Sequence, residues 1–158
     1  TIPQNDNLVM GTGDFTWEMF LKYYPPSYGT FYLFDQRNTN PQAAIAVYYE
    51  SSTTSVDFYV SGAARIQGDL AINPGEWQHF ALVRYDGSTK IYVNGRQTGA
   101  TYSDTNNYVA PALTYFGARY SAEYFINGAM DEIRVTKGFA RYTANFTPMT
   151  AASGNKTS

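Results

Sequence analysis

Residues 75–96 read GEWQHFALVRYDGSTKIYVNGR, and this stretch contains most of the information about the fold. Phe80 and Leu82 alternate with small or polar neighbours, and the apolar alternation resumes at Ile91. The Asp-Gly and Asn-Gly pairs that end the two runs supply the positive φ angles that tight hairpin turns require. We therefore predict a three-stranded antiparallel meander over residues 77–99, which in mid-chain indicates an all-β domain.

Three motifs resemble those of laminin-G-like, concanavalin A-like jelly-roll domains. The central hairpin of that family is similar to GEWQHFALVR at residues 75–84 followed by KIYVNG at 90–95. A strand near the family's end resembles FINGAMDEIRV at 125–135, and its first core strand resembles FTWEMF at 15–20. The resemblance implies a two-sheet antiparallel jelly-roll sandwich, but this fold hosts many unrelated activities.

The layout along the chain predicts one domain over residues 1–149, followed by a flexible tail over 150–158 that is rich in Ala, Ser and Gly. The first residues are expected to pair as an edge strand beside the last strand of the domain. Helix is expected to be scarce, with at most one turn near residues 138–142. Because the chain starts at Thr1 and not Met, we expect a processed form, an excised domain or a piece of a longer polypeptide.

Composition limits the partners. The net charge is −2, from 11 Lys and Arg against 13 Asp and Glu, and the basic residues are scattered, so no nucleic-acid partner is expected. No apolar run reaches the roughly 20 residues that a membrane span needs, so no membrane insertion is expected. The chain has no Cys, which excludes disulfides and Cys-based sites and favours a bacterial or viral source for an extracellular domain.

A second resemblance bears on the biological setting. Residues 135–148 read VTKGFARYTANFTP, which is similar to a phrase that follows the DEIR strand in jelly-roll domains of phage virion proteins, especially tail and appendage proteins. This resemblance implies an extracellular location on a virion surface. The aromatic side chains of Tyr142 and Phe146 are expected to fix the outgoing chain to the sandwich.

The sequence predicts no catalytic centre. Glycosidases that this fold resembles carry an E-x-D-x-x-E strand motif, which places the catalytic acid and the nucleophile side by side. This chain has no Glu that is followed two residues later by Asp. Asp131 and Glu132 are adjacent, so on a regular strand they point to opposite faces. His79 has no accompanying G-x-S-x-G motif, and we interpret it as a hydrogen-bonding residue of the sheet. We therefore predict that the chain is not an enzyme.

No metal site or cofactor is predicted, with calcium left open. Laminin-G-like domains often place an Asp at the rim of the sandwich, and the corresponding positions here are Gln42 and Ala43. That departure removes the family's calcium ligand. Asp35, Asp131 and Glu132 remain candidate ligands, although Asp131 is better explained as a partner of backbone groups.

Several loops have the composition of a sugar-binding surface. Aromatic residues make up 17% of the chain, and Tyr rings can stack on sugar faces while Arg and Asn side chains bind hydroxyl or acidic groups. The candidate ligand-binding residues are Tyr28, Arg37, Tyr108, Arg119, Tyr120 and Tyr124. Shallow sites of this kind bind weakly, so the protein is expected to act as a multivalent array or homo-oligomer.

Two functions from different classes remain. The first is a non-catalytic module on a phage virion that binds a glycan or cell-surface receptor for host recognition or adhesion. The alternative is a structural virion protein, a capsid decoration or tail-appendage domain, whose partners are other virion proteins. Tyr and Arg are enriched at protein interfaces as well, so composition does not separate the two. Ordering of residues 1–7 and 150–158 only within an assembly would favour the structural role.

Overall fold

The computed structural model describes residues 1–3, 5–24, 29–37, 44–109 and 113–149. The predicted C-terminal tail lies outside these ranges, and the domain boundaries remain a prediction. In the part of the chain that is described, no helix has the length and apolar character that crossing a membrane would take.

The described residues form two antiparallel sheets and a single 3₁₀ turn at Asp6–Leu8. The strands are β1 (Ile2–Pro3), β2 (Phe15–Tyr23), β3 (Phe31–Asp35), β4 (Ala46–Glu50), β5 (Ser55–Val60), β6 (Ala63–Ile66), β7 (Gln78–Tyr85), β8 (Ser88–Val93), β9 (Arg96–Ser103), β10 (Leu113–Phe116) and β11 (Gly128–Lys137). One sheet has the order β1-β10-β3-β4-β5-β6, and the other β11-β2-β7-β8-β9. The predicted all-β, two-sheet jelly-roll sandwich is confirmed.

Strands β7, β8 and β9 form the predicted meander. The β7–β8 turn has positive φ at Asp86 (45°) and Gly87 (68°), and the β8–β9 turn has positive φ at Asn94 (50°) and Gly95 (76°). Positive φ at both central residues matches the right-handed twist of the flanking strands. Local turn chemistry therefore fixes the register of three of the five strands in this sheet.

The hydrophobic core lies between the two sheets. Strand β2 directs Phe15, Trp17, Met19 and Leu21 into it, and each is at most 1% exposed. The Trp17 ring stacks on that of Phe34 from the opposite sheet, with ring centroids 4.5 Å apart. Burying one such large apolar side chain stabilises the fold by roughly 1.5–3 kcal/mol, so this strand is a main contributor to stability.

Three local features differ from expectation. Strand β1 pairs with β10 and not with the last strand, because β11 pairs with β2 in the other sheet and the chain crosses between the sheets after β1. Residues 138–142 contain no helical turn. Strand β11 has an irregularity between Asp131 and Arg134, where Glu132 has a φ of 51°, so the simple two-residue alternation does not apply there.

Residues 138–148, here called the strap, cross the outer face of the five-stranded sheet. The Phe146 N–H donates to the carbonyl oxygen of Gly95 (2.8 Å), and the Tyr142 and Phe146 rings stack with centroids 3.6 Å apart. Both rings pack against a buried outer cluster that includes Ala81 and Tyr92. The prediction that Tyr142 and Phe146 fix the outgoing chain to the sandwich is confirmed.

Candidate functional site

A depression of about 300 Å³ lies on the outer face of the six-stranded sheet, where β3, β4 and β5 run beside the loop that precedes β11. We call it the tyrosine pocket. It is lined by Thr30, Tyr32, Arg37, Tyr48, Glu50, Tyr59, Arg119 and Tyr124. Its size falls at the lower end of the range for small-ligand sites.

The sheet places one row of side chains across the pocket floor. Tyr32 on β3 lies opposite Tyr48 on β4, and Tyr48 lies opposite Asp57 on β5. Their neighbours Phe31 and Phe58 are fully buried in the core, so alternation directs the row outward. The Tyr32 and Tyr48 ring centroids are 5.4 Å apart, which gives the floor a continuous aromatic surface.

A buried ion pair between Arg37 and Asp35 holds the next group of pocket side chains, which includes Tyr59. The Arg37 Nε and Nη2 atoms donate to Asp35 Oδ1 (2.9 Å) and Oδ2 (2.7 Å), and the Asp35 side chain is fully buried. The Arg37 guanidinium lies 4.8 Å from the Tyr59 ring centroid and 5.1 Å from that of Tyr32. Burial alone would lower the pKa of Arg37, but the hydrogen bonds to Asp35 outweigh that effect and raise it. Arg37 is therefore a fixed cation that holds the tyrosine rings in place.

The loop before β11 forms the wall. Its Tyr120 N–H donates to Asp35 Oδ2 (3.2 Å), which ties the loop to the buried ion pair. The Arg119 guanidinium lies 5.2 Å from the Tyr120 ring centroid and 5.5 Å from that of Tyr124. The Arg119 Nη1 is 3.8 Å from a Glu123 carboxylate oxygen that is largely exposed, a weak pairing. Tyr124 is 43% exposed, so its ring is available to a ligand.

The pocket is not electropositive. Its two arginines each face a carboxylate, as described above, and these pairs cancel. Glu50 and Asp57 are two further carboxylates at the site, so its charge balance is on the acidic side. Burial raises the pKa of Asp57, and the nearby Glu50 charge adds to that rise, while burial and the nearby Asp57 raise the pKa of Tyr48. A site of this charge suits an uncharged polar ligand better than an anion.

The structure brings four of the predicted site residues together. Around or beside the tyrosine pocket lie Arg37, Arg119, Tyr120 and Tyr124. Tyr108 is elsewhere: it is 1% exposed, and its hydroxyl donates to Asp104 Oδ2 (2.6 Å). Its ring packs edge-on against Phe15 in the core, so it presents no face to a ligand. Tyr28 lies outside the described residues.

Sequence reasoning missed Tyr32, Tyr48 and Tyr59, because it searched the loops and not the strands. The signal that could have found them is alternation. Phe31 and Val47 predict inward-facing positions, so the tyrosines next to them on neighbouring strands face outward together.

A second polar cluster lies under the strap, around Glu18 on β2. Its carboxylate accepts hydrogen bonds from Arg134 Nε (2.6 Å) and the Tyr142 hydroxyl (2.7 Å), and Arg141 Nε lies 3.0 Å away. The His79 Nε2 lies 3.3 Å from the same carboxylate, which confirms its interpretation as a hydrogen-bonding residue of the sheet. So many donors leave Glu18 no free lone pair for proton transfer, and the cluster is structural.

Among the described residues, no group of three His, Asp or Glu side chains converges as metal ligands would. Gln42 and Ala43, the positions that the family resemblance predicts at the calcium rim, lie outside those residues. Asp131 accepts a hydrogen bond from the Glu132 N–H (2.8 Å), a local backbone contact. Asp35 is occupied by Arg37.

Comparison with known proteins identifies the family. Residues 1–139 match the laminin G-type family described as the concanavalin A-like lectin/glucanases superfamily, and the chain belongs to this family. No curated protein matches the chain.

Solved structures share the fold at low sequence identity. Domain 4 of an extracellular arabinanase from Geobacillus stearothermophilus, in complex with arabinotriose, is 18% identical with a TM-score of 0.61, covering 86% of this chain and 65% of that one. A protein from Bacteroides ovatus described as carbohydrate-binding is 18% identical with a TM-score of 0.66, covering 89% and 42%. A sialidase from Trypanosoma rangeli is 12% identical with a TM-score of 0.59, covering 78% and 20%. The chain thus spans less than two thirds of each of these proteins, and the likeness shows the fold alone.

Proposed function

We propose that this protein is a non-catalytic glycan-binding module whose ligand docks in the tyrosine pocket. The observation that carries the proposal is the convergence of four tyrosine rings and the partly exposed Arg119 around one depression. Two structural relatives support it, since one is described as carbohydrate-binding and the other was solved with arabinotriose.

The pocket supplies the two elements of sugar recognition. The exposed Tyr124 ring offers a flat apolar face for the C–H groups of a sugar. Arg119 donates to sugar hydroxyls, and the Glu50 carboxylate accepts from them. The Asp35–Arg37 pair contacts no ligand in this scheme and acts as a positioning element. Because Glu50 and Asp57 add negative charge to the two arginine–carboxylate pairs, we expect neutral sugars to bind better than acidic ones.

Catalysis is not part of the proposal. Retaining hydrolysis needs two carboxyl groups about 5–5.5 Å apart, one of them free to give and take a proton. The buried Asp35 and Glu18 carboxylates are each held by arginine side chains. A pocket with tyrosine faces, whose arginines are paired with carboxylates, suits binding.

The setting we propose is extracellular, on a phage virion surface. The support is the similarity of residues 135–148 to a phrase in virion jelly-roll domains. A shallow pocket of this size binds weakly on its own, and a virion that displays many copies would convert weak sites into strong attachment. The proposed partners are therefore a host glycan or receptor and other virion proteins.

A glycan-array screen of the purified chain, with and without calcium, tests the proposal, followed by calorimetry on the best neutral ligand. Tyr124→Ala and Arg119→Ala should each weaken binding about tenfold, which corresponds to about 1.4 kcal/mol. Tyr24→Ala is the matched control, because Tyr24 is similarly exposed (49%) and does not line the pocket. Binding that survives both pocket variants, or no binding by the folded protein, would contradict this function.

The structural virion role has one observation in its favour. Phe125 and Phe139 are 60% and 62% exposed, and aromatic side chains are enriched at the buried core of protein interfaces. If the protein docks onto virion particles or self-associates without binding any glycan, and Phe125→Ser abolishes that association, the structural role is the correct one. Mass measurement in solution alongside the array separates the two outcomes.

A further inference from the structure

A second depression lies on the opposite sheet and is larger than the tyrosine pocket. Its volume is about 440 Å³, within the range of small-ligand sites. It is lined by Val83, Tyr85, Asp86, Ser88, Lys90, Thr101, Tyr142 and Thr143. We call it the strap groove, because the strap forms one side and strands β7, β8 and β9 form the floor.

The floor is set by the meander. Val83 on β7 lies opposite Lys90 on β8, and Tyr85 lies opposite Ser88. The turn between them begins at Asp86, which has a φ of 45° and whose N–H donates to Asp14 Oδ1 (3.0 Å). The tight turn and this hydrogen bond therefore fix the backbone at this end of the groove.

The wall is also fixed. The Tyr142 ring stacks on Phe146 at 3.6 Å between centroids, and its hydroxyl donates to Glu18 Oε2 (2.7 Å). Lys90 Nζ lies 3.5 Å from the Thr143 carbonyl oxygen, a contact that joins wall to floor. A preformed groove loses little conformational entropy when it is filled.

The side chains that line the groove are not required for core packing, and they do not form a site of one charge sign that would bind an ion. The Tyr85 ring is 53% exposed and belongs to neither hydrophobic cluster, so folding does not require it. Asp86 and Lys90 contribute one negative and one positive charge, and Ser88, Thr101 and Thr143 contribute hydroxyl groups.

From this chemistry we propose that the strap groove is a second, independent saccharide-binding site, which takes a short stretch of an uncharged oligosaccharide. The Tyr85 ring stacks on a sugar face, the Lys90 ammonium donates to ring or hydroxyl oxygens, and the Asp86 carboxylate accepts from hydroxyls. This proposal does not depend on the tyrosine pocket, because the two depressions lie on different sheets and share no lining residue.

Two sites on opposite sheets have a consequence for binding mode. A single domain could then contact two glycan chains, or two points of a dense glycan layer, at once. The second contact is intramolecular once the first has formed, so avidity rises without any new protein contact. One face would engage the surface while the other retains a neighbouring chain.

The test is chemical-shift mapping of the ¹⁵N-labelled protein with arabinotriose, xylotetraose, cellotetraose and maltotetraose at millimolar concentration. We expect at least one of them to shift the backbone amides of Tyr85, Ser88 and Lys90 saturably. Tyr85→Ala and Lys90→Gln should each weaken the affinity fitted from these shifts about tenfold. The affinity fitted from shifts around Tyr124 should stay unchanged. Tyr24→Ala should change neither set.

The outcomes for the two sites are distinguishable. If no sugar of the panel shifts the groove amides in the folded protein, or if the shifts persist unchanged in both groove variants, the groove proposal is wrong whatever happens at the pocket. If the amides of the groove show saturable shifts and the amides around Tyr124 do not, the groove proposal holds and the proposed pocket is wrong.

Discussion

Replacing Glu18 by Gln removes the charge at the centre of the cluster under the strap. The substitution keeps the size and most of the shape of the side chain, so the packing of β2 is preserved. It leaves Arg134 and Arg141 without their anionic partner, and the side chains of these two arginines are 41% and 34% exposed. The expected change is therefore electrostatic, with no cavity term.

The magnitude follows from the ionisation of Glu18. Burial alone would raise the pKa of its carboxyl group, but hydrogen bonds from His79, Arg134 and Tyr142 outweigh burial and lower the pKa from 4.5 to about 2. At about 1.4 kcal/mol per pH unit, the charged carboxylate stabilises the folded state by about 3 kcal/mol. Because the folded-state pKa lies below the unfolded-state value, this stabilisation is complete above about pH 4.5 and is lost as the pH falls through about 2.

Urea unfolding at pH 7, 5 and 3 measures this effect. Glu18→Gln should lower the free energy of unfolding by about 3 kcal/mol at pH 7, and the gap from the wild type should narrow at pH 3. Glu76→Gln is the control, since Glu76 is exposed and makes one long side-chain hydrogen bond, from Asn73. A loss under about 1 kcal/mol at pH 7, or a loss of equal size at pH 7 and pH 3, would refute the reasoning.

Two further substitutions test the close approach of the strap and the ion pair of the pocket. Gly95→Ala should destabilise the protein by at least about 2 kcal/mol more than Gly62→Ala in thermal unfolding: both glycines have positive φ, but only at Gly95 would a Cβ collide with the Phe146 carbonyl group. Equal losses of stability in the two variants would show that the strap can move away from the added Cβ without a change in free energy. Asp35→Asn leaves the Arg37 cation buried and unpaired, so we expect a loss of about 3–5 kcal/mol in chemical unfolding. A near-neutral Asp35→Asn variant would show that the pair does not hold the pocket.

The fold was largely predictable because its strongest signals are local. The Asp-Gly and Asn-Gly turns and the alternation in β2 depend on the preferences of a few adjacent residues. The predicted neighbour of strand β1 is wrong because its pairing depends on contacts more than a hundred residues apart, such as that between Ile2 and Thr114.

The candidate site was less predictable, because exposure is a property of the packed molecule. Tyr108 and Arg37 both lie in polar segments outside the strands, and both are buried, one against the core and the other between tyrosine rings. Arg119 and Tyr124 have the same kind of sequence context and remain accessible. Nothing in the local sequence distinguishes the two buried residues from the two accessible ones.

The sequence alone determined most of the strands, the tight turns and the inward face of the regularly alternating strands, since these follow from backbone preferences and a two-residue period. Only the tertiary structure decided which outward faces stay open. The strap covers the face that carries Glu18, so β2 is buried on both sides, whereas no segment among the described residues covers Tyr32, Tyr48 and Tyr59. That difference arises from where distant segments pack, and hydrophobic burial and hydrogen bonding across the whole chain select the packing.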